Sequence, residues 1–554
     1  MRPFAGVLAC FAMLPMATAP AAATPTPLLS PRVDKAIEAR IAAGEYPALV
    51  VAVIDGERSH VYGFGTLANG AAPDGDTVFE IGSLTKTFTA TLLAQALTAG
   101  PLTLDTPVAK LLPGFTIPAR DGKRITLGEL ATQFSGLPRL PGNLRPADPH
   151  DPYADYDAAD LKSFLAGYTL SRDPGAKYEY SNLGFGLLGY ALAQHAGTTY
   201  GDLLQTRILK PLGMHSSGIA LDAAMRSHLA PGQDSQGQPA GTWSFGALAG
   251  CGAIKSSGSD MLRYLRANMR ADAALHAAMA LAQQPRRDLG QGERIGLAWM
   301  TRHTPHGDIV WHNGMTGGYA SFMGFSGDGQ RGVVVLTSTQ RSVDDIGFAM
   351  LLPDSPLAAA QTQVKMDAQQ LDAYVGQYRL SPRFVLKVFR GDDQLYAQAT
   401  GQGAFPIFPS ARDAFFAKVA AIRIDFQRGD DGKVASLVLH QNGHDSPAPK
   451  LSEAELEKSG EPKAVQLDAA TLQQYVGHYQ LVPGMVFDIS VKRGQLMARL
   501  SGQPALPVQA SARDEFFYTA VDARLSFKRD AKGKITALVL HQNGMERRAP
   551  RIGD

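Results

Sequence analysis

The chain has 554 residues, enough for three to four domains at roughly 150 residues each. Its composition, 45% hydrophobic and 19% charged, is that of an ordinary globular chain, and 57 Gly with 35 Pro make it loop-rich without low complexity. A net charge of +2 excludes a global basic field for nucleic acid or anionic membrane, and it also excludes an acidic solvating tail.

At the N-terminus, Arg2 is the only charge before an apolar run from Phe4 to Pro15. Ala17-Thr18-Ala19 and Ala21-Ala22-Ala23 follow and offer A-x-A cleavage sites. Residues 1–23 are therefore expected to be an export signal, sending the mature chain to the periplasm or outside the cell. Val7-Leu8-Ala9-Cys10 resembles a lipidation box, but Cys10 falls early and the apolar run continues past it. No later segment holds about 18 uninterrupted apolar residues, so no integral membrane segment is expected after cleavage. Removal of Cys10 leaves Cys251 alone, and the mature chain is expected to have no internal disulfide. Cys251, inside Ala249-Gly250-Cys251-Gly252-Ala253, reads as a buried small residue.

Ala48 to Ile54 predicts a strand, and Asp55-Gly56 turns it into a second strand near His60-Val61-Tyr62. A helix is predicted from Ser83 to Gly100, with Leu84, Phe88 and Leu92 on one face and Pro101 after it. Tyr319 to Phe325 and Gly332 to Ser338 read as adjacent strands. Strands at both ends with helices between predict one α/β domain whose sheet is closed by distant segments.

Beyond residue 366 the chain repeats. Tyr374-Val375-Gly376, Ser410-Ala411-Arg412-Asp413 and Leu437-Val438-Leu439-His440 recur as Tyr475-Val476-Gly477, Ser511-Ala512-Arg513-Asp514 and Leu538-Val539-Leu540-His541, each 101 residues on. Each copy is a series of short strands broken by Gly and Asp, which predicts a small antiparallel barrel. Residues 356–366 and 451–466 read as linkers.

Three motifs carry chemistry. Ser83-Leu84-Thr85-Lys86 puts a hydroxyl and an amine on one helix face beside the backbone N–H groups of the helix start. A serine there can attack a carbonyl while its own N–H holds the oxyanion, and a lysine can take its proton. In Tyr180-Ser181-Asn182 an extended chain would send Tyr180 and Asn182 to one side, a phenol to relay a proton and a carboxamide to orient an amide. His312-Asn313-Gly314-Met315 places a histidine leading into a strand and a glycine that opens the strand edge to a ligand. Each motif alone has a structural reading: an N-cap, a loop tyrosine, a packed histidine.

Together, and in this order, the motifs resemble the penicillin-binding-type serine hydrolases, the peptidase S12-like superfamily of class C β-lactamases, D,D-carboxypeptidases, D-aminopeptidases and esterases. Phe79-Glu80-Ile81-Gly82, Leu130 to Pro138 and Ala249 to Leu265 extend the resemblance to about residues 30–350. The resemblance implies that Ser83 is the nucleophile, with Lys86 and Tyr180 handling its proton. It implies that Asn182 contacts the substrate amide and that the N–H groups of Ser83 and Met315 form the oxyanion hole. His312 and Gly314 occupy the first and third places of the family's Lys-Thr-Gly box. A histidine in that first place carries full charge only at low pH, which turns the expectation away from β-lactamase. Two barrels behind the catalytic domain resemble the lipocalin-like pair of the D-aminopeptidases.

No complete metal-ligand set is found: His440 and His444 are four apart, but the second copy puts Met545 in place of His444. No cofactor is expected. The expected architecture is a β-lactamase/transpeptidase-like α/β domain over 27–355, then lipocalin-like antiparallel barrels over 367–450 and 467–554. The expected function is an exported serine hydrolase forming an acyl-enzyme on amide bonds of D-residue peptides, a D-aminopeptidase first. Its alternatives are a carboxylesterase, D,D-carboxypeptidase or β-lactamase on the same frame, and, from another class, an inactive ligand-binding protein.

Overall fold

The structure is a computed structural model. It describes residues 27–553 apart from 271–274, 382–383, 401–403, 419–421, 442–443, 459–464, 483–484, 493, 502–504, 519–522 and 543–544. The expected leader and Cys10 lie outside the described residues.

Helix α1 (Pro31–Ala42) starts on an N-cap, Ser30, whose hydroxyl accepts the Val33 N–H, with proline at its first position. Strands β1 (Ala48–Asp55) and β2 (Arg58–Gly65) form the predicted hairpin. After β3 (Val78–Glu80) come the central helix α2 (Thr85–Ala99) and helix α3 (Asn182–His195). Strand β4 (Lys255–Ser257) pairs with β3 and leads into α4 (Gly258–Met269). Strands β5 (Arg287–Gly290), β6 (Glu293–Ile295), β7 (Met300–Thr304), β8 (Gly307–Met315), β9 (Ala320–Ser326) and β10 (Arg331–Thr337) follow, then α5 (Asp344–Leu351).

The main sheet runs β2-β1-β10-β9-β8-β7-β6-β5 and is antiparallel throughout. It is closed by distant chain: Val51 of β1 stands opposite Val335 of β10. Helices cover both faces, so β1 is an apolar run rather than an alternating strand. Leu49, Val51 and Val53 pack under α1 and α5, while Val50, Ala52 and Ile54 face the helical side that holds α2 and α4. Sequence spacing predicted one apolar face for the central helix, but α2 is buried all round from Thr85 to Ala94. Its threonines are satisfied inside: the Thr87 hydroxyl donates to Leu84 O and that of Thr89 to Gly250 O, both at 2.8 Å.

Each repeat is an eight-stranded antiparallel sheet. The first runs in order from Gly376–Ser381 to His444–Pro449 and is nearly closed by a bridge between Tyr378 and Lys450. The second, Gly477–Val482 to Met545–Gly553, is a closed barrel. Side chains such as Tyr479, Phe487, Ile489 and Leu525 fill its interior. The repeated motifs build one corner twice. Asp413 and Asp514 sit at φ +67° and +70°, each held by an arginine (Arg428, Arg529) and a tyrosine hydroxyl (Tyr374, Tyr475).

Of the two expected linkers, only the second contains a regular element. Residues 356–366 carry no regular element but are tied down: Ala358 bonds Arg40 and Asp345, and Val364 N–H donates to Pro409 O. The second segment contains a helix, Glu453–Lys458, started by the Ser452–Glu455 hydrogen bonds.

Candidate active site

Ser83 sits in a tight 3-10 turn, Gly82–Leu84, that runs directly into α2. Gly82 has φ +50°, and a Cβ there would stand 2.7 Å from Met315 N. Only glycine takes this backbone and lets β8 come so close. Ser83 is half-buried, while Lys86, one helical turn on, is fully buried. The Lys86 ammonium has three acceptors for its three N–H bonds: Ser83 Oγ at 2.9 Å, Asn182 Oδ1 at 2.9 Å and Cys251 O at 2.7 Å. A buried ammonium needs such saturation, because an unmet donor would cost about 1–3 kcal/mol.

Tyr180 reaches the same hydroxyl, its Oη donating to Ser83 Oγ at 2.7 Å. Its ring lies 4.8 Å from Lys86 Nζ and 5.2 Å from the Arg139 guanidinium carbon. Tyr180 and Asn182 do face one site, but not by strand alternation. Ser181 is the N-cap of α3, its hydroxyl accepting the Gly184 N–H at 2.8 Å, and Asn182 is already helical. Capping ends the extended chain one residue before Asn182, and the helix start then aims its side chain at Lys86.

His312 lies inside β8 rather than ahead of a strand. Its Nδ1 is 2.6 Å from Asn313 O, which assigns the ring proton to Nδ1. Burial, then the Lys86 charge, push its pKa from 6.5 down to about 3, so the ring is neutral at ordinary pH. The Asn313 carboxamide points to the other face of the sheet, where Nδ2 donates to Asp344 at 2.7 Å.

Thr316 N–H donates to Tyr319 O across the β8–β9 turn. Antiparallel bonding alternates, so the adjacent Met315–Ala320 pair is not hydrogen-bonded, and the Met315 N–H points out of the ladder. Gly82 and Ser83 lie on that side. A Cβ on Gly314 would stand 2.9 Å from Ser83 N and 2.1 Å from Ile81 O. The backbone nitrogens of Ser83 and Met315 are thus brought close together where β8 approaches the serine turn.

Several residues of the site were given no role by the sequence, although Glu80, Gln133, Cys251 and Lys255 lie in the segments that carried the resemblance. The Cys251 carbonyl is a Lys86 acceptor, while its thiol is buried and pushed up to about 11 by desolvation. Gln133, at φ +65°, accepts the Ser181 N–H on its side chain and the Glu179 N–H on its carbonyl, fixing the Tyr180 segment. Tyr153 accepts from Asn182 Nδ2 at 3.2 Å and packs with Trp243 and Phe245 into an aromatic wall. The buried pair Glu80–Lys255 clamps that wall, taking the Trp243 N–H at 2.7 Å and donating to its carbonyl at 2.6 Å. Pro138 ends a quoted motif and Arg139 follows it, but only the fold shows their carbonyls holding Ser181 and Asn182. Among the described residues no group of three or more His, Cys, Asp or Glu side chains could hold a metal. The arrangement is a serine hydroxyl hydrogen-bonded by an amine and a phenol, with the backbone of β8 close beside it.

A family model described as Beta-lactamase matches residues 33–349, and a domain of unknown function (DUF3471) matches twice, over 360–458 and 461–549. A penicillin-binding protein of Bacillus subtilis (strain 168) is 25% identical over 424 residues, covering 70% of this chain and 91% of that protein. The D-alanyl-D-alanine-carboxypeptidase/endopeptidase AmpH of Escherichia coli (strain K12) is 28% identical over 295 residues, covering 50% of this chain and 75% of its own. Among solved structures, a class C beta lactamase from Rhodobacter sphaeroides aligns with TM-score 0.50 at 26% identity over 58% of this chain and 97% of that one.

Proposed function

The chain belongs to the beta-lactamase family and is a serine hydrolase of that family, and from that premise we propose that it cleaves amide bonds of D-residue peptides through an acyl-enzyme, as a D-aminopeptidase. Ser83 Oγ attacks the carbonyl carbon while the Tyr180–Lys86 pair, having first released to solvent one of the protons with which it hydrogen-bonds Oγ, accepts the hydroxyl proton. The carbonyl oxygen, now negative, takes the N–H groups of Ser83 and Met315. Collapse breaks the C–N bond, and the leaving amine receives the proton. Water then attacks the ester on the same face, with the same pair taking its proton, and frees Ser83.

The neutral, buried His312 carries the preference for a substrate without a tightly held carboxylate at that point. Arg139 favours a second reading. Its guanidinium lies beside the Tyr180 ring and has no ion pair among the described residues, so it suits a carboxylate-bearing substrate, as a D,D-carboxypeptidase would take. The AmpH relative's name agrees with that alternative. The complete hydrogen-bonded set around Ser83 argues against a silent binding protein.

The purified protein and Ser83→Ala are compared on a D-alanyl anilide, a D-Ala-D-Ala peptide, a short-chain nitrophenyl ester and a chromogenic cephalosporin. Anilide turnover lost in Ser83→Ala supports the aminopeptidase. Peptide turnover alone selects the carboxypeptidase, and ester turnover alone an esterase. No turnover and no labelling of Ser83 by an active-site serine probe would end the enzymatic reading. Export to the periplasm or medium is part of the same proposal, supported by residues 1–23 and tested by the N-terminal sequence of the mature protein.

A further inference from the structure

The two C-terminal copies share one backbone plan, so each is a control for the other. At one end of the second barrel, Gln473, Gln474, Arg529, Lys532, Lys534 and Arg551 line a cleft of about 500 Å³ with no carboxylate in its lining. Arg529 is engaged by Asp514 from the barrel side, and its Nη1 donates to Gln474 Oε1 at 3.1 Å. That contact occupies the amide oxygen and leaves Gln474 Nε2 as a donor. Lys532 and Lys534 flank the turn at Gly533; their backbone N–H groups bond Asp530, and their ammonium groups have no ion pair among the described residues. The polar side-chain atoms left for a ligand are thus mainly N–H donors and cations.

The first copy carries a different charge on the same scaffold. Asp431 stands where Lys532 does, and Asp372, paired with Arg390 at 2.6 Å, stands where Gln473 does. The counterpart of Arg390 is Val491, so the acid and its partner are both absent from the second copy. Residues 467–554 hold 12 Lys and Arg against 8 Asp and Glu, while 367–450 hold 10 against 9. The first copy keeps Arg428, Lys433 and Lys450 at the positions of Arg529, Lys534 and Arg551 but sets Asp372 and Asp431 among them, so the same strand order forms with the positive charge largely offset.

We propose that this cleft binds a multivalent oxyanion, an oligomer carrying several phosphate or carboxylate groups. A single small anion would fill little of its volume, whereas an oligomer reaches both lysines and the Gln474 Nε2 donor together. Attraction to exposed lysines is screened by salt, so binding weakens as ionic strength rises.

The full-length protein is titrated into fluorescein-labelled oligogalacturonate, with anisotropy as readout, and inorganic tripolyphosphate as competitor. Binding is expected at low salt, at least 10-fold tighter than to labelled neutral maltooligosaccharide. Lys532→Asp with Gln473→Asp, which installs the first copy's residues, is expected to weaken it at least 10-fold. Hydrolysis of a small nitrophenyl ester and the thermal unfolding midpoint, read on the same samples, are expected to stay unchanged. Displacement by tripolyphosphate at matched charge identifies phosphate density as sufficient; failure to displace identifies the carboxylated sugar chain as the source. No binding at low salt, equal binding of the neutral sugar, or unchanged affinity in the double variant would overturn the proposal.

Discussion

The phenol of Tyr180 stands 2.7 Å from the Ser83 hydroxyl oxygen, joining two residues 97 positions apart. Tyr180→Phe removes that oxygen and keeps the ring over Lys86 and beside Arg139. Loss of a positioned proton-transfer group typically lowers rate by about 10²–10⁴. We expect kcat to fall in that range, with stability changed by no more than about 1 kcal/mol, the worth of one hydrogen bond. Steady-state kinetics beside thermal unfolding checks this; a fully active variant would remove Tyr180 from the chemistry.

Gly314→Ala tests the approach of β8 to the serine turn. The new methyl would overlap Ile81 O and crowd Ser321 Oγ at 2.6 Å. Backbone must move, and the Ser83 and Met315 N–H groups move apart with it. The expected losses are about 10² or more in kcat, as for removal of an oxyanion donor, and about 1–3 kcal/mol of stability from overpacking. Gly167→Ala, at a helix end with nothing within 4 Å, is the neutral control.

His312 sets an acid limit on stability. It is neutral when folded down to about pH 3, whereas in the unfolded chain it binds a proton below about 6.5. The unfolded state therefore gains protons first as pH falls, and stability is lost between those values. The full shift bounds that loss at about 4–5 kcal/mol. Denaturant titrations at pH 7, 5 and 4 should show a steeper acid loss in the wild type than in His312→Gln. The pH profile of kcat/KM should show no ionisation from His312 between pH 5 and 8.

Asp344 behaves with the opposite sign. Burial raises its pKa from 3.8 to about 6, despite the hydrogen bond from Asn313. The folded state holds its proton longer than the unfolded state, so this group costs stability as pH rises from about 4 through 6. Asp344→Asn keeps an acceptor for Asn313 and removes that cost. A gain of about 1–2 kcal/mol at pH 8, shrinking toward zero near pH 4, is the expected result in paired denaturation curves. Equal gains at both pH values would count against the burial account.

Some of this protein is written locally. The 101-residue offset, the strand runs of each copy and the S-x-x-K spacing of Ser83 and Lys86 depend on neighbours a few positions apart, which sequence displays directly. The order of the three motifs was enough to expect an α/β serine hydrolase, and the repeat with its short strands to expect two barrels behind it. The extended-chain reading of Tyr180 and Asn182 named residues that meet in one site by a wrong local geometry, because the capping hydrogen bond of Ser181 is a three-dimensional fact.

Only the tertiary structure decided the rest. That Cys251 serves Lys86 through its carbonyl, that Tyr153 and Trp243 form a wall, and that Met315 stands against Gly82 all follow from sheet register and long-range closure. The neutral state of His312 and the full burial of α2 follow from what packs around them. Burial and register are sums over residues hundreds of positions apart, whereas spacing is a property of one short segment. That is why the sequence by itself determined which side chains to expect at the site, and why the fold alone decided their charge, orientation and partners.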